Sequence, residues 1–152
     1  MTSISYEDVY SRFFSEVEAY DFLNLKENEL NEFLCNWLHS ASSQPYIRRL
    51  FSEYRLDDEI MTIEFVIEHS VDEFYDKEFV IEVLALSIGL KWITPKIRSI
   101  KNIAQRFGSS DEKWYSQQQH LSELQALAKN MDIELQSKLA EYHSIFNAYL
   151  EK

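Results

Sequence analysis

Only two glycines, Gly89 and Gly108, and two prolines, Pro45 and Pro95, interrupt 152 residues. With so few chain breakers, the segments between them must be long and regular. Apolar residues in those segments recur mostly every three or four positions, the spacing that lines one face of a helix. The chain therefore reads as mainly α: a helical bundle of about five helices, with one β-strand or extended arm over about 60–71 and a long C-terminal helix over about 117–150. The length fits one domain spanning residues 1–152. Such a chain buries roughly 70% of its unfolded surface and needs no disulfide or metal to fold.

Local patterns place the elements. Ser5 with Asp8 resembles a capping box, and Tyr6, Val9, Phe13 and Val17 follow at helical spacing, predicting a helix over roughly 6–18. Leu30, Phe33, Leu34, Trp37, Leu38 and Ala41 form the stripe of a second helix, which ends before Pro45. A short helical turn over Tyr46–Phe51 follows. In Ile60–Val71, Met61, Ile63, Phe65 and Ile67 alternate with Thr62, Glu64, Val66 and Glu68. Period two favours a strand, although Ile60, Ile63 and Ile67 also fit a helix. No second strand is evident, which opens pairing between subunits as one option for a strand here.

Asp76 is the expected cap of a helix whose residues from Phe79 to Ile93 are apolar on almost every face, the mark of a central element. Thr94-Pro95 predicts a new or kinked helix carrying Ile97, Ile100, Ala104 and Phe107 on its inner side, closed by a loop at Gly108–Asp111. Ser116 with Gln119 is a second capping-box candidate. Beyond it Leu121, Ala128, Leu135, Tyr142 and Tyr149, with Leu124, Met131, Lys138 and Ile145, keep a seven-residue rhythm. That helix either projects toward a neighbour or folds back on the domain.

Charge is uneven. Residues 1–76 carry 17 acids and 5 bases, a net of -12, whereas residues 77–152 carry 9 acids and 10 bases. No acid lies between Val83 and Ser110, where Lys91, Lys96, Arg98, Lys101 and Arg106 all fall. Such polarity can orient a molecule against its own copies or a partner. One cysteine, Cys35, excludes an intrachain disulfide and points to a reducing compartment. No leader-like segment and no apolar stretch of membrane-spanning length is found.

Catalytic patterns are missing. A carboxylate-bridged di-iron site needs two Glu-x-x-His pairs. None of His39, His69, His120 and His143 lies three residues after a glutamate. There is no His-Glu-x-x-His, no Cys-x-x-Cys and no glycine-rich phosphate loop. Cys35 is expected to be a buried inert thiol, and His39 to satisfy the last carbonyls of its helix. Arg48, Arg49 and Arg55 would pair with Glu53 or Asp57, or grip a partner's carboxylates. Trp114 and Tyr115 follow a loop, where large aromatics can anchor an interface or fill a core. The expectation is a protein that is not an enzyme, with no cofactor and no metal.

Segment order carries a resemblance. It runs through Ser5-Tyr6-Glu7-Asp8-Val9-Tyr10-Ser11-Arg12-Phe13, Tyr20-Asp21-Phe22-Leu23-Asn24-Leu25, Trp37-Leu38-His39-Ser40-Ala41, Pro45-Tyr46-Ile47-Arg48-Arg49-Leu50-Phe51 and Leu56-Asp57-Asp58-Glu59-Ile60. DKEFVIEVLALSIGLKWITPKI at 76–97 and FGSSDEKWYSQQQHLSEL at 107–124 complete it. Over about residues 5–128 the chain resembles head–tail connector (adaptor) proteins in the neck of tailed phages and prophages of Gram-positive bacteria. It departs from them at Gly108-Ser109, where paired glycines are expected, and after Lys129, where it is longer and more helical. The resemblance implies a virion protein, assembled in the host cytoplasm, that forms a twelvefold homo-oligomeric ring below the portal protein. Such a ring extends the channel through which DNA passes without sequence-specific binding, docks the next neck or tail-completion protein, and involves no membrane. The partner interface would then use Arg48, Arg49, Lys96, Arg98, Lys101, Arg106, Trp114 and Tyr115. An acidic decoy that binds a host nucleic-acid-binding protein is the alternative suggested by the charge of residues 1–76.

Overall fold

In a computed structural model, residues 1–17, 27–107 and 112–150 are described. The described chain is mostly helical, with five helices and a three-stranded antiparallel sheet. Strand β1 (Thr2–Ser5) leads into α1 (Tyr6–Glu16), then α2 (Glu27–Ser42) and α3 (Pro45–Arg48). A hairpin of β2 (Phe51–Asp57) and β3 (Thr62–Ile67) precedes α4 (Glu73–Phe107) and α5 (Glu112–Leu150).

The alternating segment is indeed a strand, but its partners lie within the chain. β3 is central in the order β1-β3-β2, and both pairings are antiparallel. β3 therefore has no free edge for a strand of another subunit. The hairpin turns through Asp57, whose carboxylate accepts from the amides of Glu59 (3.0 Å) and Ile60 (3.3 Å). Met61 then takes a left-handed backbone with φ of 53°. Its carbonyl accepts the Tyr6 amide at 2.9 Å, tying the turn to the start of α1. That start carries the expected capping box, with Ser5 and Asp8 satisfying each other's amides.

α4 is the centre of the core. Val80, Val83, Leu84, Leu86, Ile88 and Ile93 are all almost fully buried. α1, α2, α5 and the β1 edge pack against it. Because an apolar residue gains free energy wherever it leaves water, a helix apolar on all sides recruits cover on all sides. This cover also carries the helix past Pro95. Proline removes the amide that would reach the Lys91 carbonyl, yet α4 is one helix of 35 residues and does not restart at Thr94. The Thr94 hydroxyl instead donates back to the Leu90 carbonyl at 2.7 Å. Beyond the proline Ile97 still packs on the core. At the other end, Asp72 rather than Asp76 caps the helix, accepting from the Tyr75 amide at 2.8 Å. Asp76 sits in the first turn and accepts from the Ser70 hydroxyl (2.5 Å) and the Val71 amide (3.2 Å).

α5 folds back along α4. It begins at Glu112, so the Ser116–Gln119 pair lies inside the helix rather than at its cap. Leu121, Leu124, Met131, Leu135 and Tyr142 of the seven-residue rhythm are buried. Tyr142, a poor seam residue by coiled-coil rules, stacks on Phe79 at 5.3 Å and accepts the His69 amide at 3.1 Å. Gly89 lets the two helices approach, since a Cβ there would stand 2.6 Å from Met131 Sδ. The loop expected at Gly108–Asp111 lies outside the described residues.

The Gly89–Met131 contact is testable. Gly89→Val should destabilise the protein by about 1–3 kcal/mol through overpacking. Met131→Ala in the same chain should recover part of that loss, because the two positions share one space. Urea unfolding of the four proteins of this cycle measures the coupling. Strictly additive losses would show that the helices do not meet there.

Candidate functional site

Two side-chain clusters grow out of this packing. The first follows from α1 lying against α4. Arg12 directs its fork to Glu78 (2.8 Å) and Glu82 (2.6 Å), a paired geometry suited to guanidinium. Glu16, one turn further along α1, meets Glu82 and lies near Glu134 of α5. Burial first, and then the neighbouring Glu82, push the Glu16 carboxyl up to about 8. Burial opposes the charge of Glu82 as well, but the Glu16 proton and Arg12 outweigh it and hold Glu82 below the usual carboxylate range. One proton and one guanidinium therefore already answer the clustered acids. The adjoining cleft, lined by Arg12, Tyr75, Phe79, Lys138 and Glu141 among others, measures about 190 Å³. That is small beside the ~300–1,000 Å³ of ordinary small-molecule sites.

The second cluster joins α2 to the hairpin turn. His39 Nε2 lies 2.8 and 3.0 Å from the two carboxylate oxygens of Asp58. Cys35 Sγ is 3.8 Å from Asp58 Oδ1, and the Tyr6 hydroxyl donates to the same oxygen at 2.5 Å. The hydrogen bonds from Tyr6 and then His39 hold Asp58 below its ordinary range. Burial first and then Asp58 raise the Cys35 thiol, which disfavours the thiolate a nucleophile needs. Tyr10 lies alongside, 6% exposed, and its hydroxyl has no hydrogen-bond partner among the described residues.

This arrangement corrects two expectations. Cys35 is half-buried rather than buried, and it is packed beside a carboxylate. His39 spends its ring nitrogen on Asp58, not on the carbonyls ending α2. The Cys35–His39 spacing of one helical turn was a usable signal. Asp58 was not, since only the fold brings it across from the hairpin.

Of the eight expected interface residues, five have described side chains: Arg48, Arg49, Lys96, Arg98 and Lys101. Arg48 is exposed and lies over the Tyr54 ring at 5.0 Å, and Arg49 is exposed beside it in sequence. Arg55 pairs with Glu64 across the hairpin at 3.9 Å, replacing the expected Glu53 or Asp57. Lys96 lies over Trp92 at 5.3 Å, while Arg98 and Lys101 are exposed further along α4. Arg106 belongs to α4 and Trp114 and Tyr115 to α5, but their side chains lie outside the described residues. Sequence reasoning missed two exposed aromatics. Phe74 is 77% exposed, and Phe33, expected within the inner stripe of α2, is 46% exposed and stacks on Trp37 at 5.9 Å.

The Glu16 proton has a consequence for stability. A carboxyl whose folded pKa is raised binds a proton that the unfolded chain releases, so its contribution is full below the ordinary carboxylate range and disappears as pH rises to about 8. Glu16→Gln should flatten this slope and make the variant more stable than wild type at pH 9. The gain should be on the order of 1–2 kcal/mol once solvent screening is allowed for. Thermal unfolding between pH 5 and pH 9 measures it, and parallel curves for the two proteins would refute the shared proton.

No family model, curated protein or solved structure matches the chain, which leaves its charge pattern and geometry as the grounds for a functional reading.

Proposed function

We propose that the chain is a non-enzymatic structural connector of a tailed-phage virion. Its copies form a twelvefold ring below the portal protein, extend the DNA channel and dock the next neck or tail protein. The observation that carries this reading is the acid-free interval from Val83 to Ser110, with five bases, in a chain whose first half is strongly acidic. Arg98 and Lys101 of that interval are exposed on α4. A basic surface on one copy and an acidic surface on the next suit a head-to-tail contact, which closes into a ring when the rotation permits. Acidic walls also repel DNA phosphates and let a duplex slide. The exposed Phe33 and Phe74 add apolar area of the kind interfaces cover.

The contact surfaces are helix faces and the outer side of the hairpin. β3 takes no part in pairing between subunits, because it is paired on both sides. Arg48 and Arg49, exposed after α2, are the acidic half's own means of gripping a carboxylate on the portal.

Two measurements test the reading. Arg98→Glu combined with Lys101→Glu should abolish ring-sized species in sedimentation while helical content stays at the wild-type level. Trp114→Ala should impair joining to the portal more than it impairs folding of the monomer. Electron microscopy of the protein with and without its portal reads both effects. A wild-type protein that stays small under every condition and instead captures a basic nucleic-acid-binding host protein would establish the acidic decoy and end the connector reading.

A further inference from the structure

We propose that Cys35, His39 and Asp58 bind one divalent transition-metal ion of the zinc type. This inference is independent of the connector reading. A thiol, an imidazole nitrogen and a carboxylate are the donor set that zinc takes, whereas magnesium and calcium prefer oxygen alone. The three donor atoms lie within 4.8 Å of one another. Around a tetrahedral ion with bonds of about 2.0–2.3 Å, neighbouring donors stand roughly 3.3–3.8 Å apart. Cys35 Sγ and Asp58 Oδ1 already stand at 3.8 Å. His39 Nε2 is closer to the carboxylate, at 2.8 and 3.0 Å, so its ring must withdraw by about half an ångström as the ion replaces the hydrogen bond.

The surroundings are built for such an ion. Cys35 and His39 are one turn apart on α2 and so present their donors on one side of the helix. Asp58 comes from the hairpin turn, fixed there by the Asp57 amide contacts and by the Met61 carbonyl bond to α1. The Tyr6 hydroxyl donates to Asp58 Oδ1, orienting the carboxylate as supporting donors do around bound zinc. The independent observation is Tyr10. Its ring stands 6.2 Å from that of Tyr6, and its hydroxyl is buried with no partner among the described residues. A buried hydroxyl without a partner is costly. A water or other ligand completing the ion's fourth position would accept a hydrogen bond from that hydroxyl. Binding releases the Cys35 proton to solvent and leaves the metal's oxidation state unchanged. The ion would link α2 to the hairpin. By contrast, the Glu16, Glu82 and Glu134 group is already answered by a proton and by Arg12.

Cobalt titration of the untagged, chelator-treated full chain tests the site. Cys35 is the chain's single cysteine, so a thiolate-to-cobalt charge-transfer band reports on it alone. The expected result is one cobalt per chain, a band that zinc abolishes, and loss of that band in Cys35→Ser. His39→Asn and Asp58→Asn, both at exposed positions, should each weaken binding by at least ~10-fold. Zinc should raise the unfolding temperature of wild type but not of Cys35→Ser. Absence of the band, one ion per two chains, or unchanged affinity in both the His39 and Asp58 variants would overturn the proposal.

Discussion

The fold depends on keeping water from the middle of α4. From Phe79 to Ile93 that helix turns apolar side chains in every direction, and no single neighbour can cover them. Each covering element arrives with its own polar cargo. α1 brings Arg12 against Glu78 and Glu82, and α5 brings Tyr142 against Phe79 and the His69 amide. Even the buried Ser87 is accommodated, its hydroxyl donating to the Val83 carbonyl at 2.8 Å and accepting from Tyr46 at 3.2 Å. The charged clusters are therefore consequences of hydrophobic cover. The Arg12 cluster lies where α1 meets α4, and the Asp58 cluster where α2 meets the hairpin turn.

The helices were legible because their signal is periodic and local. The capping box at Ser5 and the stripe of α2 needed nothing beyond neighbouring residues. The sheet was legible only at β3, where strict alternation survives. β2 hid because its register shifts between Phe51 and Glu53, and an irregularity of that kind breaks period two. β1 hid because four residues are too few for a pattern. Both are edge strands, and β2 carries Glu53 and Arg55, the charges that discourage edge pairing. Pro95 misled in the opposite direction. Local rules place a boundary there, but packing on both sides of the proline outweighs one lost hydrogen bond.

The two clusters divide along the same line. Arg12 and Glu16, or Cys35 and His39, each sit one helical turn apart and can be paired by counting. Glu82 and Asp58 come from other elements, 66 and 19 residues beyond their partners Glu16 and His39, and only the fold supplies them. Residues that act at a site are often gathered this way, so a search for spaced motifs finds half of each cluster and stops.

Net charge is a poor guide to what the proposed ring would feel. Interactions between exposed charges are screened beyond a Debye length of about 8 Å at physiological salt. At that range a neighbouring copy does not sense -11 as a single quantity. It senses whichever face is presented. Arg98 and Lys101 lie in an interval where no acid offsets them along α4, while the hairpin offers Glu53, Glu59 and Glu64 against Arg55 alone. A basic helix end on one copy can therefore attract an acidic face on another even though both copies carry net negative charge. The attraction is short-ranged and directional, which favours one relative orientation, and a fixed orientation between identical copies is the condition for closing a ring.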